Sequence, residues 1–142
     1  MDLNQFKTDK VKELEGIWET LDGDTRVKIA RYGNPKMVAV YNKYPRVIRS
    51  RIESGLVDDE DTRAITSHVM AQSILLDWEK VLENGEEVPY TQENAKRILM
   101  EYEEFRKLIW EISQEAALFH AEDVSKTSKN LPKGSSGSSS ST

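Results

Sequence analysis

Apolar side chains alternate with polar ones in the first quarter of the chain and recur at helical steps through most of the remainder. Between residues 16 and 31 the period is two: Val27 and Ile29 fall on one face, Arg26 and Lys28 on the other. Asp22-Gly23 separates this run from Gly16-Ile17-Trp18-Glu19-Thr20-Leu21. Asp-Gly between two such runs is a hairpin signal, because the tight turn needs positive φ. A small β-hairpin over about 16–31 is therefore predicted. A lone hairpin is not stable in water, so it must pack on helices or on another copy's sheet.

At Gly33-Asn34-Pro35 the period changes. Asn34 can cap a helix and Pro35 suits its first turn, where a missing N–H costs nothing. This helix carries Met37, Val38, Val40 and Tyr41 and is interrupted by Pro45; a second short one continues through Val47, Ile48 and Ile52 and ends at Gly55. Asp58-Asp59-Glu60-Asp61 opens the next helix, where negative charge complements the macrodipole. Four consecutive acids on a helix point in different directions, so they make a poor metal cage.

Ala64, His68, Ala71, Leu75, Trp78 and Leu82 then lie along one stripe, widened by Ile65, Val69, Ile74 and Leu76. This predicts one central helix over 59–83. Glu83-Asn84-Gly85-Glu86 stops it, and Pro89 keeps Val88 out of helical geometry. Thr91 caps a last helix over 92–123, whose seam is Ala95, Ile98, Leu99, Tyr102, Phe105, Ile109, Ile112, Ala116 and Phe119. The predicted fold is mainly α: one compact helical domain over residues 1–125 with a small N-terminal β-hairpin. A disordered Ser/Gly-rich tail over 126–142 comes last; its final ten residues, from Lys133, hold no apolar side chain.

Composition removes several function classes. Without cysteine there is no disulfide, thiolate metal site or cysteine nucleophile. No apolar run approaches the ~18 residues that span a membrane, and the first residues lack a signal-peptide stretch. A soluble intracellular protein is the expectation. Residues 1–57 carry 11 basic against 8 acidic side chains and residues 58–142 carry 9 against 17, for a net charge of −5. The acidic second half opposes a nucleic-acid surface, because phosphate contacts need Lys and Arg. This charge asymmetry suits plain solvated surface first, and head-to-tail self-association or a basic partner as the alternative.

No constellation of catalytic type appears. His68 and His120 are far apart in sequence and neither has a second ligand at metal spacing. His68 is expected to be a hydrogen-bonded, partly buried side chain, and His120 to sit near a helix C-terminus. No serine stands in a Gly-x-Ser-x-Gly elbow and no glycine loop joins a strand to a helix. Glu83, Glu86 and Glu87 lie in an exposed turn without an apolar wall to raise a pKa. An enzyme is not expected, nor a metal or cofactor.

Two surface features are candidates for partner binding. Arg46 and Arg49, with Lys43 and Arg51 nearby, form the one basic cluster, either a solvated face or a contact for an acidic protein. Trp110 stands off the main stripe with Leu108, either as a contact hot spot or as a second core face.

Two stretches resemble the tail assembly chaperones of long-tailed bacteriophages. Val27-Lys28-Ile29-Ala30-Arg31-Tyr32-Gly33-Asn34-Pro35 is similar to that family's hairpin strand and the Ala-Arg-x-Gly-Asn start of its first helix. Leu75-Leu76-Asp77-Trp78-Glu79, with Gly85, Val88-Pro89-Tyr90-Thr91 and Glu93-Asn94-Ala95, is similar to its Trp-centred helix end, glycine turn and capped next helix. Physically this second stretch reads as a helix–turn–helix corner at which Trp78 and Tyr90 fold over Pro89. The resemblance covers about residues 25–120 and implies a bend at Glu101-Tyr102-Glu103-Glu104. It also implies a non-enzymatic chaperone that binds the phage tape measure protein, with the tail tube protein and a second copy of the chain as further partners. Such a protein acts in the host bacterial cytoplasm and is absent from the mature virion. Many members are made in two lengths by a −1 frameshift, for which the codons of Ser128-Lys129-Asn130 are the candidate place. The alternative is a minor structural tail or neck component of the virion. A small nucleic-acid-binding regulator is the reading from a different class, tested by a DNA band shift at low ionic strength.

Overall fold

The predicted hairpin forms. In the computed structural model, which describes residues 1–54 and 59–121, β1 (Ile17–Asp22) and β2 (Thr25–Ile29) pair antiparallel around Gly23 at φ +57°. Val27 and Ile29 are fully buried, as the alternation requires. On the other face the Arg26 guanidinium carbon lies 4.5 Å from the Trp18 ring centroid.

A third strand corrects the mainly α expectation. The stretch predicted as one helix over 59–83 divides into α4 (Glu60–Ser73) and β3 (Leu75–Glu79), and β3 pairs antiparallel with β2 to give a sheet of order β1-β2-β3. The helices before α4 are α1 (Lys10–Glu15), α2 (Pro35–Tyr41) and α3 (Arg46–Ser54). Of the described residues 56% are helical and 19% extended, so the architecture is α+β. The physical reason lies at the helix end. The Ser73 hydroxyl donates to the Val69 carbonyl at 2.6 Å, Ile74 is the C-cap of α4 at φ −118°, and its carbonyl accepts the Ala30 N–H at 2.9 Å. Beyond Ile74 the open edge of a buried strand is available, and backbone groups there need partners. Tertiary pairing therefore overrides the helical pattern.

The spacing that suggested a helix has its own cause. Val27 faces Trp78 and Lys28 faces Asp77, but Ile29 faces Leu75, so the register shifts and Leu76 is left over. A bulge adds one residue to one strand. It lets Leu75 and Trp78, three apart, both enter the core, which imitates helical spacing.

A second small hairpin takes the place of the expected helix stop. β4 (Leu82–Glu83) and β5 (Glu86–Glu87) pair around Asn84 at φ +54° and Gly85 at φ +82°. These are the left-handed values of a two-residue Asn-Gly turn. The dipeptide therefore turns a hairpin and does not end a helix.

The predicted final helix is shorter and broken. α5 (Gln92–Glu101) and α6 (Glu103–Gln114) meet at Tyr102, whose φ −113° and ψ +87° lie outside the helix, so the bend falls where the resemblance implied it. A 3₁₀ turn over Ala116–Phe119 succeeds α6. The core is the buried face of the sheet (Val27, Ile29, Leu75, Trp78) against Met70, Ala71 and Ile74 near the end of α4, Ala95, Ile98 and Leu99 on α5, and Ile109 on α6. Leu82, placed on the predicted stripe, is instead 58% exposed, because it belongs to the small outer hairpin.

The chain divides into two compact units, and the sheet, both hairpins and helices α1 to α6 all belong to residues 10–119. In the other unit, a 3₁₀ turn over Leu3–Phe6 is capped by Asp2, whose carboxylate accepts the Asn4 N–H at 2.9 Å. There Thr8 pairs with His120, and the Ala121 N–H donates to the Lys7 carbonyl at 3.0 Å. His120 thus sits in a strand-like bridge after a 3₁₀ turn and not at an α-helix end. The predicted cap at Gly55, the tail over 126–142 and the Ser128–Asn130 site lie outside the described residues.

Point substitutions test this packing. Gly16 has φ +89°, and a Cβ there would meet Leu76 Cδ1 at 3.1 Å and the Ile29 carbonyl carbon and oxygen at 3.2 Å. Gly16→Ala is expected to cost about 2 kcal/mol, from left-handed strain plus the shift of the strand beneath it. Gly23→Ala, with open space around it at φ +57°, should cost about 1 kcal/mol. Equal costs in urea unfolding would remove the steric argument. The Ser67 hydroxyl on α4 is fully buried and has no hydrogen-bond partner among the described residues. Ser67→Ala is therefore expected to raise stability by about 1 kcal/mol, because an unpaired buried hydroxyl is costly and alanine favours helix. A loss of stability in the same assay would show that the hydroxyl is satisfied.

Candidate partner-binding groove

The first sequence stretch singled out by its motif is a structural junction. From Ala30 to Asn34, each backbone or side-chain group ties a different element. The Arg31 N–H donates to the Glu13 carbonyl at 2.8 Å, and the Arg31 guanidinium meets the Glu13 carboxylate at 2.6 Å. The Tyr32 N–H donates to the Ser113 carbonyl at 2.9 Å. Asn34, 4% exposed, accepts the Met37 N–H at 3.0 Å as the cap of α2. Its amide nitrogen donates to the carbonyls of Arg31 at 2.7 Å and Ser73 at 3.0 Å. The junction thereby fixes α2 on α4 and aims Tyr32 at α6.

That arrangement leaves a groove. Tyr32, Met37, Val38 and Tyr41 line one side, Ile52 and Glu53 of α3 close an end, and Ile65, Thr66, Val69 and Trp110 form the rest. Its volume is about 430 Å³. A smaller hollow of about 180 Å³ shares Thr66 and Trp110 with it and adds Met70, Arg106, Lys107 and Glu111. Val38 is 47% and Tyr32 43% exposed, so apolar surface reaches solvent along the rim. The Tyr32 and Trp110 rings meet edge to face with centroids 4.9 Å apart. The Tyr41 hydroxyl donates to the Arg49 carbonyl at 3.0 Å and lies 3.2 Å from the Glu53 carboxylate. Burial, then Glu53, pushes the Tyr41 phenol up to about 12.

Of the four residues proposed for partner binding, one lies in this groove. Trp110 is half-buried, one of its sides packed on the core and another lining the groove. Leu108 is 39% exposed and does not line the groove. Arg49 is internally committed: its Nε donates to the Tyr44 carbonyl and one terminal nitrogen to Asn42, each at 3.1 Å, holding the turn between α2 and α3. Arg46 is exposed on α3 and outside the groove. The two arginines thus share a helix face without forming one site. Val38 and Ile65 were visible as apolar positions, but their convergence depends on how α2 crosses α4.

The second motif stretch builds the corner. Trp78 and Tyr90 meet edge to face at 5.1 Å, Trp78 Nε1 donates to the Val88 carbonyl at 2.7 Å, and the Tyr90 hydroxyl donates to the Leu75 carbonyl at 2.5 Å. Burial pushes the Tyr90 phenol up to about 12. Thr91 caps α5 through the Asn94 N–H at 2.9 Å, while the Asn94 amide donates to the Pro89 carbonyl at 2.9 Å. Glu83 is not a free carboxylate. Arg97 grips it with both terminal nitrogens at 2.9 and 3.1 Å, and the Tyr102 hydroxyl donates to it at 2.5 Å. These hydrogen bonds hold its carboxyl below the usual range. The corner is a fold device whose polar side chains are spent on one another and on the backbone.

Among the described residues no group of three His, Asp or Glu could hold a metal ion, and no helix is long and apolar enough to cross a membrane. Comparison with curated proteins and with solved structures gave no match. A family model described as YdaY prophage protein matches residues 32–130, which takes in the groove, the corner and the helices behind them. The chain belongs to the YdaY prophage protein family.

Proposed function

We propose that this prophage-family protein is a non-enzymatic tail assembly chaperone whose groove receives an apolar helix of the phage tape measure protein. The observation that carries the reading is the groove itself: an open apolar channel bordered by Val38, Ile65 and Trp110. An amphipathic helix lays its apolar face into such a channel. A carboxylate (Glu53) stands among the apolar groups of the groove, and the adjoining hollow carries Arg106, Lys107 and Glu111, so the channel also offers charged groups to a partner helix. The two sequence stretches that resemble tail assembly chaperones support the same reading. On it the protein works in the host bacterial cytoplasm and leaves before the virion is complete.

The test is co-expression with the tape measure protein of the same prophage, scored by co-purification and by tape measure solubility. Val38→Glu, an exposed substitution that spares the core, should abolish capture while the circular dichroism spectrum is unchanged. Capture that survives Val38→Glu would move the contact elsewhere on the surface. Failure of the unaltered protein to capture, together with its presence in purified virions, would replace the reading by a structural tail or neck component.

A further inference from the structure

We infer that a second cavity, on the other side of the α2–α4 seam, binds an oxyanion, either a carboxylate or a phosphate group. Val40, Lys43, Tyr44, His68 and Gln72 line it, and its volume is about 310 Å³. His68 and Gln72 are one turn apart on α4 and line this cavity, while Ile65, Thr66 and Val69 beside them line the groove. The His68 imidazole stands edge-on to the Tyr44 ring with centroids 6.0 Å apart. Gln72 is held by a 3.0 Å hydrogen bond to Gln92 at the start of α5, which fixes that wall.

The chemistry of the lining is one-sided. Lys43 offers an ammonium, Tyr44 a hydroxyl and His68 an imidazole N–H, and among the described residues no carboxylate lines the cavity. Beside it, Lys96 of α5 is half-buried. Among the described residues none of these four side chains has a hydrogen-bond or ion-pair partner, unlike Arg26, Arg31, Arg97 and Lys107 elsewhere. Half-burying a lysine beside a second lysine and a histidine is unfavourable unless negative charge joins them. Burial first, then the charges of Lys96 and Lys43, holds the His68 imidazole below its ordinary value. An oxyanion placed among them would relieve that repulsion and accept from three donors at once.

The experiment is an NMR titration of the two histidines, His68 and His120, in sodium chloride, sodium phosphate and sodium acetate at equal ionic strength. Binding of phosphate should move the His68 midpoint upward by about half a pH unit, saturably, while His120 stays in place. The same response to acetate would identify carboxylate as sufficient; a response to phosphate alone would identify phosphate. Lys96→Met should raise the His68 midpoint in chloride and reduce the phosphate response. Midpoints of His68 that are the same in all three salts, or that move only in step with His120, would overturn the inference.

Discussion

Trp78→Ala is expected to lower unfolding free energy by about 3–5 kcal/mol, the range for emptying a buried aromatic site. The side chain is 5% exposed and packs in the core between sheet and helices. It also holds the Val88 carbonyl at 2.7 Å and the Tyr90 ring at 5.1 Å. Alanine removes the volume, the donor and the ring contact together. Trp78→Phe retains most of the volume and loses the donor, so it should cost about 1–2 kcal/mol. Domains of this size have about 5–15 kcal/mol in total, so the alanine variant is marginal and the phenylalanine variant folded. Urea unfolding followed by far-ultraviolet circular dichroism separates them. Equal costs would mean that the indole N–H, and not core packing, is what the corner depends on.

Trp78 also shows where the sequence misleads about the fold. The β1–β2 hairpin was legible because Val27, Ile29, Arg26 and Lys28 alternate and Asp22-Gly23 supplies the turn. The caps Asn34 and Thr91 were legible because each side-chain acceptor stands immediately before its helix, whereas Asp59, read only as helix-start charge, caps α4 by accepting the Thr62 N–H. β3 was not, since its bulge places Leu75 and Trp78 on one face three residues apart, the interval of a helix. Which reading wins depends on the open edge of β2, a partner some fifty residues away that local periodicity cannot register. The β4–β5 turn is a different case. Asn84-Gly85 carried a hairpin signal in the sequence, but only two residues flank it on each side, too few for alternation to show.

The candidate site was less legible than the fold. Trp110 stood out because it falls off the main apolar stripe, and it does line the groove. Arg46 and Arg49 stood out by charge alone, and charge does not tell a solvent-facing arginine from one whose fork is spent on a turn. Arg49 is bound to the Tyr44 carbonyl and the Asn42 side chain of its own chain, and Arg46, one helical turn earlier, lies clear of the groove. Val38 and Ile65 are ordinary apolar residues on separate helices. Their meeting is set by the Asn34 junction, so the groove became visible only once α2 was placed on α4.

That junction carries the other large effect. Asn34→Ala is expected to cost about 3 kcal/mol: about 1 kcal/mol for the lost cap and the rest for leaving the Ser73 carbonyl without its donor and the Arg31 carbonyl with only the Asn34 backbone N–H. Asn34→Asp isolates the two contributions. Aspartate still accepts the Met37 N–H, so if capping were the whole role the variant would be close to the parent in stability. It cannot donate, however, and its carboxylate would face two carbonyl oxygens at a position only 4% exposed. Aspartate should therefore cost at least as much as alanine. In urea unfolding, an Asp variant near parental stability would reduce Asn34 to a helix cap. A cost equal to or above that of alanine would establish that the side chain joins the start of α2 to the end of α4. Because Met37 and Val38 on α2 and Ile65 and Val69 on α4 line the same groove, the same variants should, on the proposed function, weaken tape measure capture at temperatures where they remain folded. Loss of capture there, without loss of secondary structure, would tie the motif residue to the shape of the groove and not to direct contact with the partner.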